Sequence, residues 1–270
     1  MEKLPENELV VYCIRHMGSK KVIHSLFESC LIKYKASDSY AKLAERFEDD
    51  ETTKIDIKTV TRVFRENRKP FPKEVHLNNL KSGLLVGHSW HGAMPSMLHL
   101  SLQEKVRNCI DGTYSLNQLI SIGTDIMKHE YFMVAAHDLC ENAILENFPD
   151  SIPPVSTKSI SDFVFNGIPY DLKNTNYFSD FSKKNIQSRK EEAARFLLEG
   201  ADVQRLREQA KKTMHNWGLN RFYVLVEDQD RWLTQPEAVL EELIYESGKL
   251  GNPIRISIQE IEIQVQLIAI

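Results

Sequence analysis

The chain has 270 residues, 42% hydrophobic and 27% charged, which is enough to bury a sizeable core in one large domain or two modest ones. Its formal charge of −4 excludes a polyanion partner held by net charge alone. Four scattered cysteines, Cys13, Cys30, Cys109 and Cys140, contain no CxxC pair and exclude a zinc ribbon or a disulfide framework. No apolar run reaches the length of a membrane span, and "MEKLPENELV" lacks a basic-then-apolar leader, so a cytoplasmic protein with no membrane partner is expected.

Apolar periodicity predicts helices over 8–34, 39–48 and 56–69, then over 101–110 and 115–147. Proline-punctuated breaks fall at "RKPFPKEV" (68–75) and "NFPDSIPPVSTKS" (147–159). Beyond the second break the pattern turns mixed. Strands are expected at 160–165, 168–175, 220–227 and 253–268, with helices at 185–214 and 235–248. The last strand alternates through Ile254, Ile256 and Ile258 and changes phase at Ile261, which predicts a bulge or turn near Glu260. So long an apolar strand needs a central place in a sheet or a dimer contact. The fold class is therefore α/β (α+β), a mixed sheet flanked by helices and preceded by a mainly helical domain, divided as 1–112 and 113–270. Charge follows the same order, with 18 Lys and Arg against 14 Asp and Glu in residues 1–110 and 16 against 24 in the rest.

The stretch "DFVFNGIPYDLKNT" (162–175) concentrates the chemistry. Asn166-Gly167 is a strong type I′ hairpin signal, since both central residues of that turn need positive φ. With these two as the loop, Phe165 faces Ile168, Val164 faces Pro169, Phe163 faces Tyr170 and Asp162 faces Asp171. Pro169 then occupies a pair without ladder hydrogen bonds, where its missing N–H costs nothing. Lys173 shares a face with Asp171, while Phe163, Phe165, Tyr170 and Leu172 fill the opposite one. Two facing carboxylates destabilise a sheet by a few tenths to about 1 kcal/mol unless something offsets them. A hydrated strand face with Lys173 beside one acid is one reading. A divalent-metal site is the other, favoured by the combination of turn, register, acid pair and D-x-K spacing.

At these positions the sequence resembles the PD-(D/E)xK nuclease superfamily, the fold of most type II restriction endonucleases. Asp162 matches the first acid of the pattern, Asp171 the second and Lys173 the lysine. As an order of elements the resemblance extends over about residues 125–270. It implies a helix glutamate upstream, for which Glu141 in "HEYFMVAAHDLCENAILENF" is the choice over Asp138 and Glu146; Phe132, Ala136, Leu139, Ala143 and Ile144 make that helix's buried stripe. The chain's actual Pro-Asp dipeptide, Pro149-Asp150, departs from the pattern by falling in a loop. The resemblance further implies Mg²⁺, for which Mn²⁺ can substitute, held by Asp162, Asp171 and the Leu172 carbonyl, because this hard ion takes one or two carboxylates and keeps several waters. Lys173 would orient or deprotonate the attacking water and stabilise the charged phosphate. Double-stranded DNA as substrate, a homodimer that cuts both strands, and a cognate DNA methyltransferase for a restriction enzyme follow from the same likeness.

Further upstream, "SDSYAKLAERFEDDETTKIDIKTVTRVFRENRKP" reads as helix, loop, helix, with Asp56 as N-cap and Pro70 as stop. Lys58, Arg62, Arg65 and Lys69 form one narrow stripe, and Ile57, Val60, Val63 and Phe64 lie across from it. This resembles a DNA-binding helix-turn-helix. Lys183 and Lys184 in "KKNIQSRK" form a second basic cluster able to meet phosphates. His88, His91, His129, His137 and Cys140 lack a matching second ligand pair, so zinc is not expected. The absence of a GxxxxGK[ST] loop argues against an ATP-driven motor. The leading expectation is an Mg²⁺-dependent, sequence-specific endonuclease of the type II restriction kind. The alternatives are a non-catalytic DNA-binding regulator using helix 57–69, a repair, resolvase or phage-defence nuclease of the same superfamily, and an RNA-directed nuclease.

Overall fold

A computed structural model describes residues 5–46, 55–82, 112, 115, 117–118, 136–156, 159–176, 181, 183–200, 220–227, 230–258 and 260–270. His88, His91, Cys109, His129, Phe132 and the helix expected at 101–110 lie outside the described residues, as do most of 115–135 and the span 201–214.

The expected helix over 8–34 is broken into pieces. Helix α1 (Glu6–Tyr12) runs into a π-helical turn at Cys13–Met17, and α2 occupies Lys20–Ser29. Gly18 makes the break. A Cβ there would stand 2.7 Å from the Ile14 carbonyl oxygen, so only glycine allows the chain to pass. The Tyr40 hydroxyl donates to that same carbonyl and satisfies it. Ser19 and Ser39 cap α2 and α3 (Tyr40–Glu45) by accepting the Val22 and Lys42 N–H groups. Helix α4 (Ile57–Asn67) follows, capped as expected by Asp56, whose carboxylate accepts the Thr59 N–H at 2.6 Å.

Past the prolines, α5 (Lys73–Ser82) is a helix that the sequence reading misses. Pro72 starts it, its carbonyl accepting the Val75 and His76 N–H groups. Helix α6 is described over 136–147. Strands β1 (Phe163–Phe165) and β2 (Ile168–Asn176) form the hairpin; α7 (Lys183–Ile186) and α8 (Lys190–Gly200) lead towards β3 (Arg221–Val226). Then α9 (Asp230–Thr234), α10 (Pro236–Gly248), β4 (Ile254–Ile258) and β5 (Ile261–Ala269) complete the chain. The phase change near Glu260 is a turn, with φ of 73° at Glu260 and Ile258 paired to Ile261.

The five strands make one mixed sheet in the order β1-β2-β3-β5-β4, with β2, β3 and β5 parallel and both end pairs antiparallel. β5 takes the central pairing its apolar length demands. Helix α8 covers one sheet face, placing Ala193, Ala194 and Leu198 on Leu225, Ile256, Val265 and Leu267. On the opposite face, Phe222 is met by Phe163, Phe165 and Tyr170 at centroid separations of 5.4–5.7 Å, all near edge-on.

The chain falls into two compact units, Met1–Phe71 with Glu141–Glu227 and Glu242–Ile270, and Pro72–Cys140 with Asp228–Glu241. Both are discontinuous in sequence, unlike a cut at residue 112. In the first unit the N-terminal helices share a core with Ile152 and Val164 of the hairpin region, so helices and sheet are built on common packing. In the second, α5 packs on α9, and Lys81 pairs with Glu237.

Candidate functional site

The hairpin forms by the expected turn, with φ of 52° at Asn166 and 79° at Gly167. Its register is Phe165 to Ile168, Val164 to Pro169 and Phe163 to Tyr170. Val164 turns its own N–H and carbonyl away from Pro169 to bond Ile152, which spares the proline a ladder bond it cannot donate.

The ladder ends there, one pair short of the Asp162–Asp171 facing pair that the register predicts. The Asp162 N–H donates to the Tyr170 carbonyl at 2.8 Å, and Tyr170 is already the partner of Phe163. Two residues therefore oppose one, and the strand turns aside. The departure relieves two carboxylates of a directly opposed position. Asp162 instead reaches along the β2 edge, where its Oδ2 accepts the Leu172 N–H at 2.6 Å. A strand residue directs its N–H and carbonyl to the same side, so the Leu172 carbonyl points to the edge where Asp162 lies.

Asp171 and Lys173 share the other face, as their spacing predicts. The Lys173 ammonium sits 2.9 Å from Oδ1 and 2.8 Å from Oδ2 of Asp171. A second cation enters from β3. Asp171 and Arg221 are neighbours in the parallel register, and Nη1 of Arg221 lies 3.3 Å from Oδ2 of Asp171. Arg221 is nearly buried, its side chain 7% exposed against 48% for Lys173. Asn220 pins the start of β3 by donating to the Pro169 carbonyl and accepting the Gln264 N–H, while its own carbonyl accepts the Asp171 N–H. From the N-terminal helices, buried Tyr12 shares a hydrogen bond with Ser161. Burial pushes the Tyr12 phenol far above its ordinary range, and the negative charges of Asp171 and Asp162 push it further. Tyr12 is thus a neutral wall beside the acids.

Asp162, Asp171 and the Leu172 carbonyl are hard oxygen donors of the kind Mg²⁺ takes, and the ion needs only one or two carboxylates because it keeps waters. The residues fit such an ion in donor chemistry. Among the described residues, no three His, Cys, Asp or Glu side chains gather as a metal-ligating group, so Glu141 does not join the two aspartates in one set. Glu141 lies on α6, its Oε1 3.7 Å from Arg68 at the end of α4. Of the other helix acids, Asp138 is 3.6 Å from Nδ1 of His137, and Glu146 is exposed. Ala136, Leu139, Ala143 and Ile144 form the expected buried stripe.

On α4, Val60, Val63 and Phe64 are buried, and Lys58 and Arg62 are exposed; the helix ends at Asn67 with Arg68 extended, so Lys69, expected in the same stripe, is exposed beyond it. Arg65 differs from its stripe neighbours. Its guanidinium donates to the carbonyls of Phe148 and Ser151 and to the Ser151 hydroxyl at 2.8–3.1 Å, tying α4 to the loop before the hairpin. Arg62 pairs with Glu66 at 3.1 Å. Beside α4 and the hairpin turn opens a cleft of about 740 Å³, where Lys58, Arg62 and Arg65 meet Glu6, Glu66 and Asp150. Lys183 and Lys184 open α7.

The sequence reading misses Tyr12, Ser161, Asn220 and Arg221. Arg221 alone leaves a trace, as a charge at the head of the otherwise apolar strand "RFYVLV". No family model, curated protein or solved structure matches this chain.

Proposed function

We propose that the protein is an Mg²⁺-dependent endonuclease of the PD-(D/E)xK kind that hydrolyses double-stranded DNA, acting as a type II restriction enzyme. The observation that carries this reading is the arrangement around β2: Asp162 on the Leu172 N–H, with Asp171 and Lys173 side by side at the margin of the sheet. Asp162, Asp171 and the Leu172 carbonyl would hold the metal, which when bound would supply positive charge to the phosphate and lower the pKa of water. Lys173 leaves Asp171 to orient the attacking water and stabilise the phosphate oxygens. The water oxygen forms a new P–O bond as the bond to the 3′ oxygen breaks, the water gives up a proton to solvent, and the leaving oxygen takes one from solvent. Glu141 on α6 is the helix acid of this reading and acts from outside the metal's donor set.

DNA lies along the exposed cations Lys58 and Arg62 of α4, the second helix of a helix-turn-helix, and Lys69 just past its end, with Arg65 fixing that helix and Lys183 and Lys184 meeting phosphates near the cut. The protein acts as a cytoplasmic homodimer beside a methyltransferase that protects host DNA. Among the described residues, no helix is long and apolar enough to cross a membrane.

The test incubates supercoiled plasmid and phage DNA with the protein in Mg²⁺, beside EDTA and the Lys173→Ala variant. Discrete fragments that vanish in both controls are expected. A second reading, a non-catalytic DNA-binding regulator, is favoured by one observation: both Asp171 oxygens are already engaged by Lys173. Intact DNA across a broad panel, with tight binding unaffected by Asp171→Ala, would replace the enzyme with that regulator.

A further inference from the structure

Arg221 has no role in the nuclease reading, yet it is the most buried charge beside the two aspartates. A buried guanidinium is expensive unless a carboxylate faces it, and the parallel register of β2 and β3 supplies Asp171 for that purpose. The same carboxylate also holds Lys173. Lys173 and Arg221 thus bring two positive charges to one carboxylate, with Asp162 beside it on the Leu172 N–H. Tyr12 adds no charge, since burial keeps its phenol protonated.

A divalent ion beside Asp162 and Asp171 meets both of these cations, one of them a nearly buried arginine that cannot deprotonate. A phosphodiester brings negative charge that offsets the repulsion. Resting on the nuclease reading, we propose that Arg221 is a positioning residue and counter-charge: with Lys173 it keeps divalent-cation affinity low at Asp162 and Asp171 until a nucleic-acid phosphate occupies the site. Metal and nucleic acid then bind with positive coupling, each raising the affinity of the other by the same factor.

Mn²⁺ serves as the probe, its free concentration read by electron paramagnetic resonance on the full chain, with circular dichroism confirming that each variant is folded. Arg221→Gln is expected to bind Mn²⁺ about tenfold tighter than the wild type without nucleic acid, because a unit charge a few ångströms away is removed. Arg221→Lys, which keeps the charge, stays near the wild type. Asp162→Asn abolishes the binding and assigns it to this site. Should Arg221→Gln fail to fold, Lys173→Gln removes the exposed cation instead and shifts affinity in the same direction. A phosphorothioate duplex that resists hydrolysis, with its own Mn²⁺ uptake subtracted, is expected to tighten wild-type Mn²⁺ binding by about tenfold or more. Unchanged or weaker Mn²⁺ affinity in the folded charge-removing variant, or a duplex that leaves wild-type affinity unchanged, overturns the counter-charge role. If Asp162-dependent Mn²⁺ binding survives that result, the nuclease reading stands alone. Absence of such binding in every form, with and without duplex, overturns both.

Discussion

Asp56 shows how one side chain can be read from sequence and then used as a probe. The backbone N–H of Thr59 holds its carboxyl below the usual carboxylate range, with Lys58 adding to the effect. A depressed carboxylate stabilises the fold fully above its unfolded pKa of about 3.9 and loses that contribution as the pH falls through its folded value. Asp56→Ala should therefore cost about 1 kcal/mol in urea unfolding at pH 7, and the gap from the wild type should close as the pH falls through the carboxyl's depressed value. Gly167 is a second such residue. With φ at 79°, an added Cβ meets its own backbone, and Gly167→Ala should lower stability by about 1–2 kcal/mol in the same assay. Both roles are local, set by backbone geometry within three or four residues, and so both are legible in the sequence. Arg221 is not, because its partner Asp171 is 50 positions away and becomes a neighbour only when β3 pairs with β2.

At the scale of the element, α4 separates residues that periodicity alone places together. Lys58, Arg62 and Arg65 share a stripe, yet Arg65 is bound to Phe148 and Ser151 and the other two are exposed. Arg65→Ala should cost about 2–3 kcal/mol in thermal or urea unfolding, since it strands carbonyls that a charged donor satisfies. Lys58→Ala and Arg62→Ala should stay within about 0.5 kcal/mol of the wild type. Under the proposed function, those two weaken DNA binding in a gel shift and reduce its salt dependence. The hairpin carries a similar lesson. Its turn and three cross-strand pairs follow from Asn166-Gly167, but the fourth pair does not form because the Asp162 N–H bonds Tyr170 and its carboxylate bonds Leu172. Electrostatic repulsion between facing acids, known in kind from the sequence, is relieved by a backbone departure that no alternation pattern encodes.

At the scale of the whole molecule, the N-terminal helices and the hairpin are one structure. Val164 and Ile152 sit in the same core as Leu9, Val22, Phe27 and Phe64, and Tyr12 bonds Ser161. A fragment of residues 113–270 should therefore lack a cooperative unfolding transition and bind the hydrophobic dye ANS, even though it contains every strand of the sheet. Cooperative unfolding of that fragment, followed by near-ultraviolet circular dichroism, would show the sheet to be independent of the helices.

What the sequence by itself determined is whatever depends on near neighbours. The mixed helix and strand content, the cap at Asp56, the I′ turn, the face shared by Asp171 and Lys173, and the turn near Glu260 all follow from propensity and period. Only the tertiary structure decided which of these pieces meet. It broke the first helix ahead of Gly18, where the Tyr40 hydroxyl takes the Ile14 carbonyl. It spent Arg65 on the loop before the hairpin, bent Asp162 along the β2 edge, and set Arg221 against Asp171. Each of these outcomes depends on contacts between groups distant in the chain, and the free energy of such contacts exists only after burial and strand pairing have brought them together.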